Sequence, residues 1–113
     1  IGVPLAVSCD RSFIVPTATM TVHPVRMNGT VLGVPQTLSY FEKMQDRIAG
    51  FVEANSKITA EDFRSLMMKT GELVMDVGTV LDGEAAVECN LIDELGGLSD
   101  ALDYLNRVIS KEE

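Results

Sequence analysis

The chain holds a single histidine, His23, at the end of the run TATMTVHP, with a β-branched stretch before it and a proline directly after it. Imidazole is the side chain whose proton affinity suits general-base work near neutral pH. In acyl transfer it deprotonates a serine or cysteine held beside two backbone N–H donors that receive the oxyanion. The serines are Ser8, Ser12, Ser39, Ser56, Ser65, Ser99 and Ser110, and none sits in a G-x-S-x-G elbow. The residues by themselves thus supply a base and no evident nucleophile, and a histidine in that position, taken alone, reads as a structural one. Cys9 and Cys89 lie far apart with no C-x-x-C spacing, and one histidine cannot complete a zinc site with them. Both are expected to be reduced, buried thiols, with no metal and no other cofactor required.

The elements that would position His23 belong to a compact unit. With 113 residues, 46% of them hydrophobic and 23% charged, the chain can hold one domain or part of one. Nine basic against 17 acidic residues give a net charge of −8, which repels phosphate backbones and anionic lipid, so nucleic acid is excluded as a natural partner. No run approaches the roughly 18 apolar residues of a membrane span. The opening IGVPLAVS is apolar from residue 1 without an initiator methionine. The chain is therefore expected to begin inside a structural element, with any targeting segment lying outside it.

Further along, FIV and TMTV read as two short extended segments around a turn, the second ending at His23. The segment PVRMNGTVLGVPQ, with Asn28-Gly29, Gly33 and Pro35, reads as an irregular or hairpin-like arm. Residues 37–55 place Phe41, Met44, Ile48, Phe51 and Val52 at helical spacing and form the longest predicted helix. A second helix opens at Thr59, with Asp62 placed for a capping box and Phe63, Leu66 and Met67 on its apolar side. After Gly71 the spacing predicts a short extended piece in ELVMDVGTVL, a small helix in DGEAAVEC capped by Asp82, and a strand-like LID. A last helix, from Ser99 to about Ser110, turns Leu102, Leu105, Val108 and Ile109 inward. Tyr40, Phe41, Met44, Phe51, Met67 and Met68 exceed what one thin core hides, so some are expected in a subunit interface.

An apolar strand ending in M-x-x-H-P, a glycine-containing arm, a long helix and then AAVECNLIDELGG together resemble the second half of a ClpP-class serine peptidase. In particular they resemble the bacterial ClpP-like translocation-enhancing proteins. The resemblance covers essentially all 113 residues, with TMTVHP and AAVECNLIDELGG its most specific parts. Where the family has a glycine after the short helix, this chain has Asn90, the non-glycine residue that best tolerates a left-handed backbone. The resemblance implies an α/β fold, the C-terminal part of a ClpP/crotonase-like spiral of ββα units. Residues 1–113 would form the C-terminal portion of one peptidase domain, with residues 24–56 or so as its handle.

It also implies roles. His23 would be the general base, the nucleophilic serine would be the residue just before Ile1, and the Ile1 N–H would be one oxyanion donor, the other lying outside this chain. The family's aspartate position falls on or near Gly78, and the nearest carboxylate is Asp76. Asp76 is either the third member of a triad or a turn residue, leaving a looser triad, a Ser–His dyad or a weakened peptidase open. Asp93 is assigned to the turn chemistry of LIDELGG. The implied partners are unfolded or short polypeptide substrates and further copies of the chain in a ring or barrel, in the cytoplasm, with an ATP-driven unfoldase left open. Two other readings stand beside this one: a scaffold that has lost efficient catalysis, and an acyl-CoA enzyme of the related crotonase fold.

Overall fold

The computed structural model describes residues 1–26, 29–30, 32–71 and 77–112. Its elements run α1 (Gly2–Val7), β1 (Phe13–Ile14), β2 (Thr19–Val22), α2 (Val34–Asn55), α3 (Ala60–Met67), β3 (Thr79–Asp82), α4 (Gly83–Glu88), β4 (Glu94–Leu95) and α5 (Leu98–Glu112). This is the mixed α/β architecture expected. The extended segments FIV and TMTV are both present but do not pair with each other. β1 lies parallel to β4, with Phe13 opposite Glu94, and β2 lies antiparallel to β3, with Val22 opposite Thr79.

In β3 burial alternates with the two-residue period of a strand, placing Thr79 and Leu81 inward and Val80 outward. Across the ladder Met20 faces Leu81, and Val22, 1% exposed, faces Thr79. The helices α2 and α3 pack on each other and feed the same core. α2 buries Ala49 and Val52, and α3 buries Phe63 and Met67, each 2% exposed. Burying side chains of that size contributes about 1.5–3 kcal/mol each. α3 begins where Thr59 Oγ1 accepts from the Asp62 N–H at 3.1 Å. The next free amide, of Ala60, donates to Glu53 Oε2 at 2.7 Å and ties the start of α3 to the end of α2. Of the interface candidates, Met67 is core, Phe41 and Met44 are half-buried, and Tyr40, Phe51 and Met68 are exposed.

Two local backbone devices fix the second half. Gly83 opens α4 directly against the turn after β1, and a Cβ there would overlap the Val15 carbonyl. Asp82 caps the helix, its Oδ1 accepting from the Ala85 N–H at 2.8 Å. At the other end Asn90 adopts φ 69°, the left-handed conformation expected of it. The Asn90 N–H reaches Val87 O at 3.0 Å and the Leu91 N–H reaches Ala86 O at 3.1 Å. This pair is a Schellman closure, and Ala86 and Leu91 at its two ends both belong to the buried core.

Three expectations are corrected here. LID is not a strand: Leu91 and Ile92 both donate to Ala86 O and finish α4, which moves β4 on to Glu94–Leu95. Cys9 is exposed and Cys89 half-buried; both are free thiols, but Cys9 is not buried, because it follows α1 in the turn before β1. On α5, Leu102, Leu105 and Ile109 are 51–55% exposed rather than inward, and Val108 is half-buried. The helix is anchored instead by Tyr104, whose ring meets Phe13 edge-on at 6.1 Å and lies 5.6 Å from the Arg11 guanidinium carbon. At 100° per residue that anchor turns the stripe holding Leu98, Leu102, Leu105 and Ile109 away from the body.

Candidate active site

β2 delivers His23. The strand's last residue, Val22, is pinned in the core, and Pro24 lacks an N–H to continue the ladder and biases the preceding backbone to an extended conformation. The imidazole emerges half-buried at that point, with Nδ1 2.8 Å from the Pro24 carbonyl oxygen. A carbonyl only accepts, so this contact is a hydrogen bond in the tautomer that carries its proton on Nδ1. Nε2 then keeps the lone pair a general base needs.

His23 lines a cleft of about 770 Å³. Ile1 and Gly2, at the start of α1, form part of the same wall, and Ile1 is 94% exposed. α2 contributes Arg47, Ile48 and Phe51, and α3 contributes Phe63 and Met67. His23 and Ile1, 22 positions apart with α1, β1 and β2 between them, thus line one cavity.

No serine of the described residues lines that cleft. Ser12 is 9% exposed and occupied: its N–H and Oγ both donate to Asp93 Oδ2, at 3.0 and 3.2 Å, while the Asp93 N–H donates to Ser12 Oγ at 3.0 Å. Ser8, Ser56 and Ser65 each donate to a backbone carbonyl of their own helix, Leu5, Val52 and Glu61 respectively. Asp76 lies outside the described residues. Asp82 is the helix cap read from the sequence, and Asp93 does serve its turn, through a partner in β1's approach that sequence spacing did not reveal. The cleft's far wall, Arg47 and Phe51 above all, also went unnoticed as a site, because the same residues read simply as one turn of an amphipathic helix.

The electrostatics separate two arginines. Arg11 donates to Glu94 Oε2 at 2.8 Å, which raises its pKa above the ordinary arginine value against the opposing effect of burial. It is structural, clamping β1, β4 and Tyr104. Arg47 stands in the cleft wall instead. Among the described residues no group of three His, Cys, Asp or Glu could hold a metal ion, and no helix is long and apolar enough to cross a membrane.

No family model matches the chain. Over all 113 of its residues it is 50% identical to the translocation-enhancing protein TepA of Halalkalibacterium halodurans, and it spans 44% of that relative's length. The likeness to translocation-enhancing proteins carried by TMTVHP and AAVECNLIDELGG therefore extends across the whole chain.

Proposed function

We propose that this chain, close in sequence to TepA, forms the base-bearing part of a ClpP-like serine peptidase domain built as a ββα spiral. The observation that carries the reading is the shared cleft: His23 and Ile1 line one cavity, which is where a serine preceding Ile1 would present its hydroxyl to the imidazole. In the reaction, Nε2 of His23 takes the serine proton as the oxygen attacks the peptide carbonyl, then returns it to the leaving amine. The Ile1 N–H is one donor to the developing oxyanion. The Pro24 carbonyl at 2.8 Å from Nδ1 supports an imidazole oriented by backbone, so that a Ser–His dyad works without the carboxylate of Asp76.

The apolar walls supplied by Ile48, Phe51, Phe63 and Met67 suit an extended, unfolded polypeptide. Exposed Leu32, Val34, Leu38 and Tyr40 around the start of α2 support a handle through which copies pack into a ring or barrel in the cytoplasm, a setting that would admit an unfoldase. The experiment is to treat the full-length protein with a fluorophosphonate and locate the adduct by peptide mass spectrometry. An adduct on the residue preceding Ile1 supports the peptidase. Protein left unmodified under conditions that label a control serine hydrolase would point to the scaffold reading, and saturable binding of coenzyme A to the acyl-CoA one.

A further inference from the structure

We infer that Arg47 makes the His23 cleft a carboxylate-recognising site, so that the polypeptide segment it accepts carries an acidic group next to an apolar side chain. The inference rests on the peptidase reading only for the occupant being a polypeptide. Arg47 projects from α2 into the wall that also contains Ile48 and Phe51. Among the described residues lining the cleft there is no Asp or Glu. The chain as a whole carries 17 acidic residues against nine basic ones, so a cavity whose one permanent charge among the described lining residues is positive runs against the global field.

Among the described residues the guanidinium is also unclaimed. Its helical neighbours at i±3 and i±4 are Lys43, Met44, Gly50 and Phe51, so no carboxylate lies at the spacing where α2 could neutralise it. The adjacent Asp46 is taken by Arg64 at 3.1 Å, and Arg11 takes Glu94. Among the described residues Arg47 forms neither an ion pair nor a hydrogen bond. Arginine's planar fork matches a carboxylate with two parallel hydrogen bonds, and at this exposed position the neighbouring Ile48 and Phe51 displace only part of the solvent from such a contact. The carboxylate has two chemical sources, an Asp or Glu side chain or the free C-terminus of a peptide.

The test measures binding by fluorescence anisotropy on the full-length protein at low salt, with labelled peptides of one apolar framework. One carries Glu with an amidated end, the second Gln with an amidated end, the third Gln with a free carboxyl end, and the fourth Lys with an amidated end. A carboxylate-bearing peptide is expected to bind about five- to tenfold more tightly than its neutral counterpart, the range of one partly exposed charged hydrogen bond. Arg47→Gln should erase that preference and Arg47→Glu should transfer it to the Lys peptide. A preference confined to the free end would identify a chain terminus as the source. Equal affinities in the wild type, no binding of any peptide, or a preference that survives Arg47→Gln would overturn the inference. Fluorophosphonate labelling of the same preparations is scored separately. Labelled protein without carboxylate preference removes this inference alone, whereas preference in protein that cannot be labelled keeps the site and removes the peptidase.

Discussion

Replacing Asp93 by alanine should be among the most damaging single polar changes in this half of the fold. The side chain accepts from the Ser12 N–H and from Ser12 Oγ through one oxygen, Oδ2, and its own N–H returns a bond to that hydroxyl, joining positions 81 apart in sequence. Ser12 is 9% exposed, so little water replaces what is lost. Alanine strands two donors, and at about 1–3 kcal/mol for each buried unsatisfied group, softened by the half-exposed Asp93, the cost is about 2–4 kcal/mol. Asp93→Asn, which keeps one carbonyl acceptor, should cost about 1 kcal/mol. Because Ser12→Ala shares with Asp93→Ala only the loss of the Oγ–Oδ2 bond, the Ser12 N–H still reaching Oδ2 in the serine variant, the double variant should fall short of the sum of the singles by about 1 kcal/mol. Urea unfolding of the full-length protein, with the m-value checked for constancy, measures all four corners. An Asp93→Ala midpoint shift worth under about 0.5 kcal/mol, or strict additivity with Ser12→Ala, would show that this ring does not hold β1 to β4.

Gly83→Ala should destabilise by about 1–3 kcal/mol, since the added methyl must push α4 off the Val15 carbonyl; a midpoint equal to wild type in the same assay would contradict that packing. Asn90→Gly should stabilise by up to about 1 kcal/mol by relieving the left-handed residue at φ 69°, and a loss of stability would mean the Asn side chain contributes a contact of its own. Asp76→Asn should leave the fluorophosphonate labelling rate within about threefold of wild type, because the Pro24 carbonyl already engages Nδ1. A fall approaching the roughly 10⁴-fold seen when a triad loses its carboxylate would assign that role to Asp76.

What the sequence makes legible is what local physics decides. α2 follows from apolar residues at helical spacing, and the structure only extends it back to Val34. The Thr59 and Asp82 caps, and Asn90 in the left-handed region, depend on atoms within a few residues of each other. His23 at the strand end was likewise visible from TMTVHP, and its cleft partner Ile1 only through family likeness. What escapes is decided at long range. The parallel pairing of β1 with β4 and the Ser12–Asp93 ring join opposite ends of the chain, and no periodicity in either segment encodes the other. LID has strand-like composition, yet its first two amides are consumed in closing α4. The apolar stripe of α5 was correctly recognised as a stripe, but spacing identifies a face and not its cover; Tyr104 on Phe13 decides which way it points. Arg47 is one more charge on an amphipathic helix until α3 and β2 close the cleft around it.

The central claim is that His23 is the base of this site, and the most direct measurement is the rate of fluorophosphonate modification of the full-length protein with and without the imidazole. Wild-type protein should be modified at a single serine, and His23→Ala, its fold verified by an unchanged urea midpoint, should react about 10²–10⁴-fold more slowly. The half-buried ring at the cleft wall makes few of the contacts that hold the core, so the variant should fold. His23→Ala labelled at the wild-type rate would contradict the assignment and leave His23 as a structural residue at the end of β2.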